Sequence, residues 1–217
     1  MTTVCKNCNH HFEGNFCSHC GQAADTHQLN MHFIWHDLQH GFFHFDNGIF
    51  YSIRQLLTRP GHAIREFIEG KRVKHFKPLS LVIVLATLYG LLYHYFNLNV
   101  SGIKPIDASE NIINAYKNTS SWILDHFAVF TLFLIPNITI PSYLVFKKQG
   151  YNFAEHLVLN TFYIGLLLLI NLILFPVLYI YIGIGLLKWS IVTQIIDFVL
   201  MYGAILSSST MYQRLNA

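Results

Sequence analysis

Charge is what this chain has little of. Only 12% of its 217 residues are Asp, Glu, Lys or Arg, against 53% hydrophobic. A soluble domain carries about 25% charged residues, so an ordinary water-soluble globule is excluded for most of the chain. The deficit is uneven. Eight of the fourteen Lys/Arg and six of the eleven Asp/Glu lie before residue 79. Two solvents explain the split: a watery or interfacial N-terminal third, then a membrane part. Cysteine is absent after Cys20, which leaves nothing for a disulfide framework in the apolar region. Met1–Gln22 contains no apolar h-region, so no secretory signal peptide is expected and the first membrane helix directs its own insertion. Recognised catalytic motifs are also lacking: there is no G-x-S-x-G, H-E-x-x-H, P-loop or paired carboxylate set. This leans against an enzyme.

What is present begins with Cys5-Lys6-Asn7-Cys8 and Cys17-Ser18-His19-Cys20-Gly21. Two C-x-x-C turns aim four sulfurs at one point, a spacing suited to metal thiolates. Four thiolates about 2.3 Å from Zn2+ close a tetrahedral shell with no position for water, so the expected site is structural, with iron or a redox dithiol as alternatives. His10, His11 and His19 lie close enough to substitute, but Cys5, Cys8, Cys17 and Cys20 complete the shell. Gly21 permits a turn with positive φ, and Phe12 and Phe16 are expected to cover the metal. So short a module has no other core and folds on its metal. One lysine and no arginine argue against a phosphate-binding surface, so no nucleic acid is expected. Reduced thiolates place this end in the cytosol.

Four apolar runs follow, expected as spans at about 79–96, 127–146, 157–176 and 189–209. The third belongs to an uncharged stretch, Leu157–Leu187, which Pro176 is expected to end or kink. Pro136 and Pro141 bracket Asn137 and are expected to break the second span locally. Lys/Arg placement puts both termini inside and Asn97–Ser121 outside, as a loop carrying an Asn118-Thr119-Ser120 acceptor sequence. Within the membrane, Asp197 costs about 2.5–3.5 kcal/mol on insertion scales and is a functional candidate. Gln194, Asn137, Asn160, Asn171 and His94 are possible partners. Helix–helix hydrogen bonding is the plainer role for this set, and a substrate, ion or proton path the sharper one.

Residues 27–78 read as short amphipathic helices in the membrane plane: Met31–Phe45, then Gly48–Thr58 capped by Asp46 or Asn47, then a helix begun by Pro60 and closed by Gly70. His32, His36, His40 and His44 recur every four residues. They form either a polar-aromatic face at the headgroups or a second metal or pH-sensing stripe. Lys71, Arg72, Lys74 and Lys77 crowd the membrane entry. They set topology and are candidate ligands for anionic lipid headgroups or phosphate.

The segments C-x-x-C…F-C-x-x-C-G-Q, L-L-T-R-P-G, E-F-I-E-G-K-R and F-K-P-L resemble the DUF3667 family, over Cys5 to about Leu85. The resemblance implies an N-terminal zinc ribbon on a bacterial inner-membrane protein, with the four cysteines as ligands. It brings no catalytic residues.

The expected fold is therefore an all-α membrane protein of four transmembrane helices. A zinc ribbon or knuckle (1–26) and amphipathic juxtamembrane helices (27–78) precede the transmembrane domain (79–217). The expected function is non-enzymatic docking, sensing or regulation. Its setting is a multi-pass protein in the bacterial inner membrane, in contact with the bilayer and with a further copy of itself or a membrane partner. The alternatives are a small oligomeric transporter or channel using Asp197, or a protein that binds or modifies lipid headgroups.

Overall fold

A computed structural model describes residues 2–24, 26, 28–32, 34–35, 48–96 and 110–183. The expected fourth span with Asp197 and Gln194 lies outside the described residues, as do His36, His40, His44, Asp46 and Asn47.

The chain begins with a two-stranded antiparallel ribbon, β1 (Thr3–Val4) and β2 (His11–Phe12), with Thr3 opposite Phe12 and Val4 opposite His11. Helices follow: α1 (Gly48–Thr58), α2 (Pro60–Ile68), α3 (Pro78–Tyr95), α4 (Glu110–Asp125), α5 (Phe127–Phe146) and α6 (Phe153–Gly183). Three of them, α3, α5 and the part of α6 at Phe153–Val177, are long and apolar enough to cross a membrane. They coincide with the first three expected runs.

Local chemistry sets the helix ends. Pro60 occupies the first turn of α2, where its missing N–H costs nothing. At the other end Gly70 takes φ +102°, its N–H donates to the Phe67 carbonyl, and the Lys71 N–H donates to the Glu66 carbonyl. These are the two bonds of a Schellman cap. A capping box starts α6: Glu155 N–H donates to Asn152 Oδ1 at 2.9 Å, and Asn152 N–H donates to Glu155 Oε2 at 2.8 Å.

Three expectations need correction. Of the two outcomes expected at Pro176, an end or a kink, the end is overturned: the third long helix runs from Phe153 through Pro176 to Gly183. Likewise α5 is continuous through Pro136 and Pro141. Proline removes one N–H from the ladder, and in both helices the surrounding turns keep helical geometry. The region read as the loop Asn97–Ser121 carries α4 from Glu110 onward, so the Asn118-Thr119-Ser120 sequence lies on a helix. Glu110 in its first turn complements the helix dipole.

Two compact units partition the chain. The first comprises Met1–Leu81 and Ile135–Leu166, the second Val82–Leu134 and Leu167–Ala217. In the first unit, Ala154–Val158 and Asn160–Phe162 are all buried, while Leu159 and Tyr163 are half-buried, so this part of α6 is enclosed on all but one narrow face. Phe67 of α2 meets Phe162 edge-on at 5.3 Å. Close approach fixes the start of α1: a Cβ on Gly48 would stand 2.9 Å from the Lys74 carbonyl oxygen. Nearby, the buried Ser52 hydroxyl accepts from Phe76 N–H at 2.6 Å. The second unit has an aromatic core of Tyr89, Tyr93 and Phe175, with Phe96, Phe127 and Leu172 packed against it.

Candidate metal centre and its attachments

The two C-x-x-C turns fold alike. Cys5 N–H donates to the His10 carbonyl and Asn9 N–H to the Cys5 carbonyl. In the second turn Cys17 N–H donates to the Gln22 carbonyl and Gly21 N–H to the Cys17 carbonyl. The left-handed position is filled by Asn9 in one (φ 57°) and Gly21 in the other (φ 77°), the two residue types that tolerate it best.

The turns bring all four sulfurs within 4.8 Å of one another. Cys5 and Cys20 are 3.5 Å apart, and Cys8 and Cys17 are 3.6 Å apart. Four sulfurs bonded to one ion at about 2.3 Å lie about 3.8 Å apart, so small adjustments of the sulfurs complete a tetrahedral shell. The donor chemistry agrees. A backbone hydrogen bond from His10 favours the Cys8 thiolate, yet lost solvation and contacts with the other thiols push its thiol up to about 12. Burial opposes ionisation of Cys20, but hydrogen bonds from Asn7, Gln22, Cys5 and Cys8 bring it down to about 6. Thiols this close do not all ionise together unless a cation compensates them. The cluster fits a metal ion.

Phe12 is buried with Cys5 and Cys17, as expected, whereas Phe16 is 66% exposed and does not cover the sulfurs. Ala24 packs there instead. Phe16 forms an isolated bridge with Ala23, and its side chain points to solvent.

The centre is attached to the helices at two places. The first is the cap of α2. Buried Gln22 donates through Nε2 to the Gly70 carbonyl at 2.5 Å, and its Oε1 accepts from Arg72 N–H at 3.3 Å. Lys6 Nζ donates to the Thr26 carbonyl at 2.6 Å, and a Cβ on Gly70 would meet Lys6 Cδ at 3.0 Å and Thr26 Cγ2 at 3.2 Å. The second is the start of α6. Gln28 Nε2 donates to Glu155 Oε1 at 3.2 Å, and Asn152 Nδ2 donates to the Leu29 carbonyl at 2.8 Å. Buried Glu155 thus receives both the capping bond and a bond from the segment that follows the ribbon. The sequence reading missed Gln22, Gln28, Asn152 and Glu155. Only the N-x-x-E spacing of the last two was a readable signal.

The remaining candidates have definite places. Arg72 Nε donates to the Phe67 carbonyl at 3.1 Å, and its guanidinium lies 5.5 Å from the Phe67 ring centre. Lys74 is exposed, and Lys71 and Lys77 are half-buried. His75, between Lys74 and Phe76, is buried: its Nε2 lies 3.5 Å from Glu66 Oε2, while His62 Nε2 lies 3.3 Å from Glu66 Oε1. Burial pushes His75 below the usual imidazole value, against the pull of Glu66. Asn160 is buried and donates to the His156 carbonyl at 2.9 Å and to Thr139 Oγ1 at 3.4 Å. It therefore joins α6 to α5. Asn171 donates to the Leu167 carbonyl within α6, and Asn137 is exposed on α5. Of the histidine stripe, His32 alone is among the described residues, and it is exposed.

The DUF3667 family, described as a protein of unknown function, matches residues 46–90. The matched segment holds α1, α2, the capped turn at Gly70-Lys71-Arg72 and most of α3. No curated protein and no solved structure matches the chain.

Proposed function

We propose that this is an integral membrane protein whose metal-held ribbon serves as a regulatory docking face on the ends of its helices. The observation that carries this is the double attachment. One short module grips the α2 cap through Gln22 and, through the residues just after it, the α6 capping box. A metal that folds the ribbon therefore also sets the anchorage of those helix ends, without an open coordination position for chemistry.

The metal is zinc, which all-thiolate tetrahedral sites favour. The ribbon, the 147–152 connection and both termini face the cytosol of a bacterial inner membrane. Two features support this: the basic residues before α3, and the bonds that keep residues 28–29 beside the start of α6. Lys71, Lys74 and Lys77 lie at that surface and meet anionic headgroups, each worth about 1 kcal/mol near a charged membrane. Arg72 adds charge there but also holds the turn. A second copy or another membrane protein docks on the ribbon face.

The test is cross-linking in native membranes, comparing the wild type with Cys17→Ser and Gln22→Ala at equal membrane levels. A defined partner lost in both variants is the expected result. A cross-linking pattern indifferent to both substitutions would sink the proposal.

A further inference from the structure

The thiolate cluster leaves two nearby imidazoles unused. His19 sits inside the second C-x-x-C, immediately before Cys20. His10 follows the first, and its carbonyl is held by Cys5 N–H at 3.0 Å. The turns that gather the sulfurs therefore gather these two rings as well. Their centroids are 5.7 Å apart, with the planes tilted by 35°. Both residues are exposed.

We propose that His10 and His19 form a second, solvent-open site for a borderline divalent cation, and that metal reaches the buried cysteines through it. The distance suits this. An ion about 2.1 Å from a ring nitrogen stands roughly 3.2 Å from the ring centre, so two rings sharing it lie about 5 Å apart. A modest rotation of each exposed ring closes the difference. The ligand chemistry suits it too, since neutral imidazole binds Zn2+, Ni2+ and Cu2+. Two protein ligands leave the remaining positions to water, which makes the site weak and exchangeable.

Charge and burial give the site its role. Four thiolates around a divalent ion leave a net negative charge on the cluster, and a neighbouring cation lowers that charge. Lys6 lies in the first turn, but its ammonium is engaged by the Thr26 carbonyl. Cys5 and Cys17 are almost fully buried, at 3% and 2% exposure, while Cys8 and Cys20, the ligands beside His10 and His19 in sequence, are partly exposed, so an incoming ion reaches the cluster from the side on which the two rings lie. The imidazole pair is its landing point there.

The inference rests on the cluster holding a metal, and the two fail separately. Full-length protein in detergent micelles, with its tightly bound zinc quantified, is titrated with Ni2+ alone at neutral pH. The wild type is expected to bind one additional Ni2+ that His10→Ala and His19→Ala each weaken at least tenfold. His11→Ala, which alters the neighbouring strand residue, is expected to leave it unchanged. Zinc content should remain equal in all four proteins. Nickel binding by His10→Ala and His19→Ala equal to that of the wild type would overturn the site. The entry role is read from the rate at which Cd2+ replaces the bound zinc, followed by thiolate absorption. It is expected to fall severalfold in the His10→Ala/His19→Ala double variant, and an unchanged rate overturns that role. Absence of tightly bound zinc from the wild type would instead count against the metal-held ribbon itself.

Discussion

Gln22 and Gly70 are forty-eight positions apart, yet the buried Gln22 amide donates to the Gly70 carbonyl while its oxygen receives Arg72 N–H. The side chain thus pairs with the backbone on both sides of Lys71, as a strand would. It satisfies groups that the end of α2 leaves free, and ties the second C-x-x-C turn to the chain entering α3.

Gln22→Ala removes both bonds and leaves two backbone groups without them. A buried polar group left unpaired costs about 1–3 kcal/mol. The expected outcome is a stability loss of that order in micelles, with faster amide exchange at Arg72. A variant as stable as the wild type would show that solvent replaces the amide at no cost.

Gly70→Ala is expected to destabilise by more than about 1 kcal/mol, because a non-glycine residue at φ +102° is strained. Its Cβ would also press on Lys6 and Thr26, so the ribbon should loosen together with the α2 cap. Proteolysis within residues 2–24 would report this. A helix end that melts with no change in the ribbon would show the two to be independent.

How much of this was legible in advance follows from chain separation. The three long apolar helices and the four sulfurs follow from local patterns, a run of apolar residues and a spacing of three; the structure gathers the sulfurs and forms a helix over each run, α6 extending beyond its run at both ends. The Gly70 cap was equally local. Gln22 with Gly70 and Gln28 with Glu155 join residues far apart in sequence, which no periodicity encodes. Asn152-Phe153-Ala154-Glu155 carries N-cap spacing, but the uncharged run Leu157–Leu187 begins only after Glu155. The helix α6 begins four residues before that run, at Phe153. Phe16 failed because a hairpin this short has only one covered face, and Phe12 occupies it. The helix α4 was missed because its apolar residues are too few for a span and its polar ones resemble a loop.

Glu155→Gln keeps an acceptor for Asn152 N–H but gives up the charge that strengthens both bonds. Asn152→Ala removes the N-cap itself and is expected to cost about 1 kcal/mol. Asn152→Ala should also weaken the hold on Leu29, so residues 28–32 are expected to become more accessible to protease. Equal protection in the variant would separate the cap from the ribbon's attachment.

His75 gives the fold an acid-sensitive element. Its folded-state value lies below the ordinary 6.5 because burial disfavours the imidazolium, with Glu66 opposing. The unfolded chain therefore binds the proton first as pH falls. Stability should decline from near pH 7 downward, until the pH passes His75's depressed value. His75→Gln removes this group's contribution, so the loss of melting temperature between pH 7.5 and 5.5 should be smaller than in the wild type. An identical loss would assign the sensitivity elsewhere.

The central claim is that the metal holds helix ends as well as the ribbon. Hydrogen exchange on the full chain in lipid nanodiscs, before and after chelation, tests it most directly. The account predicts faster exchange at three places together: residues 2–24, Gly70–Arg72 and Asn152–Glu155, with the middle of α3 unchanged. Faster exchange confined to residues 2–24 would contradict it.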